Sequence, residues 1–291
     1  MKHGVLMTVH NNIPVVQALM SLLDDERFTF YLLVDKKSKH SPEEFIPDLK
    51  RAKVVTLDRI NINWGGYSQI EAQLRLMERA VQNEVDYLHY VQGADLPLKT
   101  PEQIDRFCKQ GGIFLEVSAE PSACANYRVL CKHFFADFPY YRETKLLRYA
   151  NHGLAYLQRP FMRLKKQYNG MFMGYATWSI PLSFTVYVLS MRNEIERRYR
   201  YSVTADEVFL QTLCMQSEYK SQVRGKNAAR LIDWSRREGN SPRTFTIEDK
   251  TVLEEAIKDP ELLFARKFSA ERDYEIVEYV ITALNKNEDS H

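Results

Sequence analysis

The first part of the 291-residue chain alternates between apolar strand patterns and amphipathic helix patterns. The predicted strands are HGVLMTV at residues 3–9, FTFYLLV at 28–34, KVVTL at 53–57, DYLHYV at 86–91 and IFLEV at 113–117. Helices are predicted between them at 13–23, 41–49, 69–82 and 101–109. FTFYLLV is almost continuously apolar, as expected of a strand that is covered on both faces. This alternation predicts an α/β protein with a mostly parallel sheet and helices on both of its faces.

Local signals mark where several of these helices begin. Pro14 stands in the first turn of the first predicted helix, where its missing amide hydrogen costs nothing. Ser68 with Glu71, and Thr100 with Gln103, have the spacing of a capping box, in which two side chains satisfy the first free amides of a helix. These patterns predict that helices begin directly after Ser68 and Thr100.

The rest of the chain lacks this regular alternation. Residues 120–170 are rich in aromatic and cationic side chains without a clear period, and we expect short helices and loops that form one wall of a cleft. Further elements are predicted as strands at 170–181, 230–234 and 262–268, and as helices at 182–198, 204–217, 247–259 and 270–284. No internal repeat or long Pro/Gly/Ser linker divides the sequence, which predicts one domain with a frayed tail at 285–291.

Composition excludes several classes of protein. The formal net charge is +2 and the charges are mixed along the chain, so no nucleic acid partner is expected. The four cysteines form no C-x-x-C pair, which argues against a zinc site or a disulfide framework. No apolar run approaches the roughly 18 residues of a membrane-spanning helix, and the N-terminal apolar stretch is too short for a signal peptide. We therefore expect a cytoplasmic protein.

One segment leaves its environment open. KHFFADFPYYRETKLLRY at residues 132–149 mixes aromatic and cationic side chains. It could lie on a membrane surface, such as the inner face of the cell membrane, or it could be a solvated face over a local core.

In a sheet of this kind, ligands bind outside the carboxyl ends of the strands. The residues that follow the predicted strands are therefore candidates for a binding site: His10–Asn12, Asp35–Lys37, Trp64–Tyr67 and Gln92–Asp95. Asp35 could accept hydrogen bonds from a ribose or cap a turn. The glycines after Trp64 would let a ligand approach the backbone, and the indole could stack on a ring or pack over the helix. Asp95 could bind a hydroxylated ligand or fix its own loop.

Charged residues in the C-terminal part suit catalysis or anion binding. Glu207 could be a general base, but Thr204 and Glu207 also have capping-box spacing. Arg243 and Lys267 could bind an anion, or they could form ordinary ion pairs with nearby acidic residues. Arg266 precedes Lys267 on a predicted strand, so the two side chains should point in opposite directions, with Arg266 in a structural ion pair.

A series of motifs in the chain resembles those of one enzyme family. The motifs, in order, are TVHNN, LLVDKKS, WGGYSQIEAQLRLM, HYVQGADLPLKT, ADEVFLQTL, LIDW, GNSPRTF and LLFARKF. They are similar to motifs of the glycosyltransferase family that contains the core-2/I-branching β-1,6-N-acetylglucosaminyltransferases and the peptide O-xylosyltransferases. The resemblance implies a GT-A-like fold with a Rossmann-like sheet. It also implies a nucleotide-binding half at 1–118 and an acceptor and catalytic half at 119–291.

The resemblance also implies a chemistry and assigns residues to it. The reaction would be an inverting transfer from a UDP-sugar without a metal, and the D-x-D pair that holds a metal in most GT-A enzymes is missing from this sequence. Glu207 corresponds to the catalytic glutamate. The corresponding donor-binding positions are Val9, His10, Asp35, Trp64, Gly66, Arg243 and Lys267. Asp95 and Trp178 are candidates for acceptor binding, although Trp178 lies in GYATW, which departs from the family's G-S-x-W segment.

The implied partners are a UDP-sugar donor and a glycan or lipid-linked glycan acceptor, with no cofactor. N-acetylglucosamine and xylose are the expected sugars, and a bacterial pathway to surface polysaccharide is the expected setting. A non-catalytic nucleotide-sugar or glycan-binding protein on the same fold is the alternative.

Overall fold

The computed structural model describes residues 1–162, 170–225, 227–235, 239 and 241–288. The strands are β1 (His3–Val9), β2 (Phe28–Val34), β3 (Lys53–Thr56), β4 (Tyr87–Gln92), β5 (Asp95–Pro97), β6 (Trp178–Pro181), β7 (Arg230–Ile232) and β8 (Phe264–Arg266). The helices are α1 (Ile13–Leu22), α2 (Ser68–Gln82), α3 (Pro101–Cys108), α4 (Ala123–Leu130), α5 (Lys145–Met162), α6 (Leu182–Ser190), α7 (Arg192–Tyr199), α8 (Phe209–Met215), α9 (Lys250–Lys258) and α10 (Glu275–Glu288). The predicted α/β class is confirmed.

The central sheet has the strand order β3-β2-β1-β4-β6. The first four strands are parallel, and β6 runs antiparallel to β4. A smaller sheet has the order β5-β8-β7, with β8 antiparallel to β5 and parallel to β7. It joins a strand from the first half of the chain to two strands from the second. The small sheet thus crosses the division predicted at residue 118. The assignment of nucleotide binding to one half and catalysis to the other stays a prediction.

Both faces of the central sheet are buried, as the apolar run of β2 predicts. Phe28 and Phe30 pack into one core cluster with residues of α1 and α10. Tyr31 and Leu33 pack into the other with residues of α2 and α6. Each fully buried side chain of this size stabilises the fold by about 1.5–3 kcal/mol, so the two layers hold the strand ends in place.

Several predicted elements are wrong in extent. The helix expected at 41–49 is a single 3-10 turn, Pro42–Phe45. Ile46, which precedes Pro47, is extended, because a proline disfavours the helical conformation of the residue before it. The helix expected at 182–198 is divided into α6 and α7 at Met191, whose backbone leaves the helical region.

The fifth predicted strand is also wrong. Ile113 and Phe114 make only isolated bridges, to Val223 and Ser179 respectively. Strand β6 pairs with β4 and so occupies the edge of the sheet at which IFLEV was expected to pair. Of the predicted strand pair at 170–181, only Trp178–Pro181 is a strand.

The capping predictions divide between confirmed and wrong. Thr100 caps α3, and its Oγ1 accepts from the amide of Gln103. Ser68 lies inside α2 and its hydroxyl donates to Asp137 instead of capping. Thr204 has a left-handed backbone, with φ 47°, and makes no side-chain cap. In two of the three predicted capping pairs, the side chains therefore contact residues distant in sequence instead of capping a helix.

The predictions for residues 120–170 and for the C-terminal tail need two changes. Helix α5, with 18 residues, is longer than the short helices that were expected. Helix α10 continues to Glu288, beyond the predicted end at residue 284, and residues 289–291 lie outside the described part of the chain, so the frayed tail stays a prediction.

Candidate active site

A cavity of about 910 Å³ opens at the carboxyl ends of β1, β2 and β4. We call it the strand-end cavity. Val9, His10, Asp35 and Lys267 line it, although Lys267 is more than 200 residues away from the others in sequence. Four of the seven predicted donor-binding residues are thus brought together at the edge where a parallel sheet is expected to bind its ligands.

Asn12 fixes three loops around this cavity. Its Nδ2 donates to the carbonyl oxygens of Gly93, at 2.7 Å, and Phe268, at 3.1 Å. Its Oδ1 accepts from the amide of Ala270 at 3.1 Å. The left-handed backbone of Asn12, with φ 63°, is one that asparagine tolerates better than most residues. A single short amide side chain therefore ties the end of β1 to the loops after β4 and β8.

The two adjacent cations of LLFARKF have different surroundings. Arg266 Nη1 lies 2.6 Å from Asp95 Oδ1, so the predicted structural ion pair is confirmed. Asp95 also accepts from the amide of Gln92 at 2.8 Å, and its side chain is only 3% exposed. The acceptor role predicted for Asp95 is wrong, because this buried carboxylate fixes its own loop. The loop-fixing alternative is the correct one.

Arg243 does not line the strand-end cavity. Its Nη2 lies 2.6 Å from Asp249 and its Nη1 lies 3.5 Å from Asp233. This is the ion-pair alternative left open by the sequence. Arg243 is nevertheless close in structure to Lys267, because the amide of Phe245 donates to the Lys267 carbonyl at 2.8 Å.

Asp35 caps its own turn and also lies on the wall of the strand-end cavity. Its carboxylate accepts from the amide of Lys37 at 3.0 Å and pairs with Lys37 Nζ at 3.0 Å, which is the turn-capping geometry. It also lines the strand-end cavity. A sugar hydroxyl at this point would share the carboxylate with Lys37.

A second cavity, of about 830 Å³, contains Glu207. We call it the Glu207 cleft. Glu207 ends a short 3-10 turn, Ala205–Glu207, and its Oε2 accepts from Arg128 Nη1 at 2.6 Å. Arg128 projects from α4 and also donates to the carbonyl of Thr204. Burial disfavours the charged form of Arg128, but the charge of Glu207 and the hydrogen bond outweigh it and raise the pKa of this guanidinium. Glu207 lines the cleft and its side chain is 36% exposed, so the carboxylate is accessible from the cleft.

A second carboxyl group lies directly behind Glu207. Burial, and then the negative charge of Glu207, raise the pKa of Asp206. Asp206 Oδ2 accepts from Gln69 Nε2 at 3.2 Å, and Gln69 Oε1 accepts from the amide of Gly65. Through Gln69, the turn that carries Glu207 is tied to the loop that carries Trp64.

Aromatic rings and cations line the rest of the Glu207 cleft. Tyr175 and Trp234 are stacked, with centroids 6.2 Å apart and planes 21° from parallel. Helix α5 contributes Arg148 and His152, so the prediction that this segment forms one wall of a cleft is confirmed for its described residues, whereas residues 163–169 lie outside the described part of the chain. Flat apolar faces beside fixed polar groups suit the alternating apolar and hydroxylated surfaces of a sugar ring.

Trp64 connects the walls of the two cavities. It lines the Glu207 cleft, not the strand-end cavity, and its side chain is 39% exposed. The guanidinium of Arg142, which lines the strand-end cavity, lies over the indole at 5.1 Å from the ring centroid. Gly66 has a structural reason to be glycine, because a Cβ at this position would overlap Asp137.

Trp178 is wrong as an acceptor-binding residue. Its side chain is fully buried and stacks on Tyr90, with ring centroids 5.4 Å apart. Its indole nitrogen donates to Gln73 Oε1 at 2.9 Å. The altered GYATW segment thus serves the core between β4 and α2.

Sequence reasoning missed Arg128 and Arg142. Both lie in the segment that has no traceable motif, and the only signal was its richness in aromatic and cationic residues. Arg128 contacts Glu207 across 79 positions of sequence, a pairing that no local pattern encodes.

The part of the chain that the structure describes contains one group of side chains arranged to hold a metal ion, His3, His89 and Cys108, whose candidate ligand atoms lie within 4.8 Å of one another. All three are buried, and the group lines neither cavity. His3 is hydrogen-bonded to His89 and Asp105, and His89 to Ser179. Each histidine nitrogen is thus already engaged within the fold.

None of the described helices combines the length and the apolar character needed to cross a membrane.

A comparison with curated proteins gives no significant match. The family model of the Core-2/I-Branching enzymes matches residues 5–257, which covers both sheets except β8 and includes Glu207 and Arg243. With the mixed α/β architecture, this match supports a GT-A-like single domain. The chain belongs to the Core-2/I-Branching enzyme family and is a glycosyltransferase.

Proposed function

We propose that the protein is an inverting, metal-independent transferase that moves a sugar from a UDP-sugar to a hydroxyl group of a glycan acceptor. N-acetylglucosamine and xylose are the sugars proposed, and bacterial surface polysaccharide or glycan synthesis is the setting. The observation that carries the proposal is the Trp64–Arg142 contact, which joins the walls of two cavities, one with Lys267 and the other with Glu207.

The strand-end cavity is the proposed donor site. Val9 and His10 would contact the uridine, and Asp35 would accept from a ribose hydroxyl. Lys267 would offer its charge to the diphosphate. Arg142 lines the same cavity and would supply a second cation, which the sequence alone did not indicate.

Arg243 has a different part in this proposal. Because Asp249 and Asp233 already neutralise it, Arg243 could contact the diphosphate only by exchanging a carboxylate partner. Its backbone segment contacts Lys267 through the amide of Phe245. In the ground state, Arg243 therefore holds the segment that presents Lys267.

Glu207 is the proposed general base. Its Oε2 is held by Arg128, and Oε1 would take the proton from the acceptor hydroxyl as that hydroxyl attacks the anomeric carbon. The bond to the leaving diphosphate breaks on the opposite side, and negative charge builds on the β-phosphate. Lys267 and Arg142 would stabilise that charge by fixed electrostatics, the role that a metal plays in other transferases.

The Glu207 cleft is the proposed acceptor site. Stacked Tyr175 and Trp234 offer ring faces, and Arg148 and His152 offer polar groups around them. This surface replaces Asp95 and Trp178 as the candidate for acceptor recognition. A free glycan or a lipid-linked glycan would both fit the proposal.

The experiment is a UDP-release assay over a panel of UDP-sugars, with and without EDTA. We expect turnover with UDP-N-acetylglucosamine or UDP-xylose that is unchanged by excess EDTA. Loss of activity in EDTA that manganese restores would refute metal independence. If the protein binds UDP-sugars but releases no UDP with any of the glycan acceptors tested, the alternative of a non-catalytic binding protein would be favoured.

A further inference from the structure

Helix α5 has an apolar face that points into solvent. The exposed positions follow a helical spacing of three and four residues: Leu146, Tyr149, Ala150, Gly153, Leu154, Leu157, Pro160 and Phe161. None of them is charged. Leu146 is 77% exposed, Tyr149 72%, Leu157 69% and Phe161 64%. We call these eight residues the α5 stripe.

The opposite face of α5 anchors the helix to the protein. Asn151 and Ala155 are buried. The Asn151 amide donates to His133 Nδ1 at 3.0 Å and to the Tyr141 hydroxyl at 3.1 Å. These buried hydrogen bonds fix the rotation of the helix, so the α5 stripe is the outward face and not a core face waiting for a neighbour within the described chain.

Such a face is unusual on a protein surface. A surface helix normally buries its apolar stripe and exposes polar residues. Among the described residues, nine of the fourteen exposed large hydrophobic side chains lie between residues 134 and 161. Concentrated exposure of this kind marks an interaction surface rather than scattered surface leucines.

Charge identifies what this surface fits. Residues 141–166 contain seven cations, Arg142, Lys145, Arg148, Arg159, Arg163, Lys165 and Lys166, against the single acid Glu143. The whole chain has a formal net charge of only +2. Arg142 and Arg148 line the two cavities, and Arg163, Lys165 and Lys166 lie outside the described residues, so the excess of cations is a property of the sequence around α5. An apolar and aromatic helix face within a cationic segment is the pattern of a helix that lies in the interface of an anionic lipid bilayer. We propose that the α5 stripe docks the protein on an anionic lipid surface.

A second copy of the chain suits this face less well. Two protomers joined through the α5 stripe would bring two cationic segments of sequence together, and like charges across an interface weaken association. An anionic lipid surface instead neutralises those cations while the leucine and aromatic side chains enter the headgroup region.

Docking would also orient the Glu207 cleft. Arg148 and His152 of α5 line that cleft, so the helix that docks on the membrane would also be one wall of the proposed acceptor site. This consequence rests on the proposed function, since a lipid-linked acceptor would then be presented along the bilayer surface. The docking itself depends only on the α5 stripe and on the cationic sequence around it.

The test is vesicle flotation of the full-length chain with phosphatidylcholine alone, or with phosphatidylcholine mixed with phosphatidylglycerol. The variant carries Leu146→Gln, Leu157→Gln and Phe161→Gln together. The matched control carries Val186→Gln and Val252→Gln, which alter exposed apolar side chains outside α5. Thermal unfolding verifies that both variants fold.

We expect the wild type and the control to float with the mixed vesicles and not with phosphatidylcholine alone. Flotation should weaken at high salt, because screening reduces the attraction to anionic headgroups. The triple variant should lose more than about tenfold in partition coefficient, since three large apolar side chains no longer enter the interface. Its thermal shift with UDP should match that of the wild type, which separates docking from donor binding.

Three outcomes would overturn the proposal. One is a wild type that does not float with the mixed vesicles, and another is a triple variant that floats as well as the wild type. The third is a concentration-dependent dimer of the wild type that the triple variant loses, which would assign the α5 stripe to a second copy of the chain.

Discussion

The neighbouring cations Arg266 and Lys267 should respond to the same substitution in opposite ways. Arg266→Met removes the partner of Asp95, whose side chain is only 3% exposed. Breaking a buried ion pair by removing one member costs about 3–5 kcal/mol, because the remaining charge stays buried. Lys267→Met instead removes a cation from the wall of the strand-end cavity.

The structure places the cost of Arg266→Met at the lower end of that range. Arg266 is itself 21% exposed, and the charge of buried Arg230 also acts on Asp95. Asp95 further keeps its hydrogen bond from the amide of Gln92. We therefore expect a loss of about 3 kcal/mol, which corresponds to a fall in Tm of about 5 °C for a chain of this size.

Thermal unfolding and a donor titration measure the two effects side by side. Arg266→Met should lower Tm, and adding Asp95→Asn should recover part of the loss because the unpaired charge is gone. Lys267→Met should lower the free energy of unfolding by less than Arg266→Met does, because Lys267 is only partly buried and lies on a cavity wall. It should weaken UDP binding by about tenfold to a hundredfold, through the loss of a charge-assisted hydrogen bond. A Tm within about 1 °C of the wild type for Arg266→Met, together with weakened UDP binding, would refute this division of roles.

Three further substitutions or conditions test the site and the core. Arg128→Met should lower kcat by about tenfold to a hundredfold with little change in the donor KM, because Glu207 loses the group that orients it; an unchanged kcat would contradict that. Gly66→Ala should cost about 1–3 kcal/mol through overlap with Asp137, whereas Gly153→Ala, where a Cβ meets nothing within 4 Å, should be neutral or stabilising; equal unfolding midpoints in urea would be inconsistent with this. Burial lowers the pKa of His133 to about 4, so the unfolded chain binds the extra proton first as pH falls below 6.5, and stability should drop by about 2 kcal/mol between pH 7 and 5. In the His133→Gln variant, the free energy of unfolding measured in urea should fall by about 2 kcal/mol less between pH 7 and 5. The same fall in the variant and the wild type would exclude His133 as its source.

The strands and their buried faces could be predicted from sequence because their signal is local. The apolar runs of β1 and β2 contain the alternation that sends side chains to two core layers, and the structure confirms both strands. Thr100 and Gln103 cap α3 because no tertiary partner competes for them.

The failures have a common cause, which is competition from partners that are distant in sequence. Ser68 has capping-box spacing, but Asp137 accepts its hydroxyl. Thr204 and Glu207 have the same spacing, but Arg128 takes the carboxylate. IFLEV has the composition of a strand, but β6 already occupies the edge of β4. Local patterns carry no information about such partners.

The candidate site was predicted in part. The resemblance to a known family led to Glu207 and to the strand-end residues, four of which line one cavity in the structure. Arg243 was equally well marked by its motif, yet the structure pairs it with Asp249 and Asp233. A motif identifies which residue is a cation, whereas the fold determines which residues pair with it.

The most direct test of the central claim, that Glu207 is the base of a sugar transfer, is a comparison of turnover and UDP binding in Glu207→Gln. Glu26→Gln, an exposed glutamate outside both cavities, is the matched control. We expect Glu207→Gln to lower the rate of sugar transfer by about a hundredfold to ten-thousandfold. UDP affinity should stay within about twofold of the wild type, because Glu207 does not line the strand-end cavity. Near-normal turnover in Glu207→Gln would contradict the account.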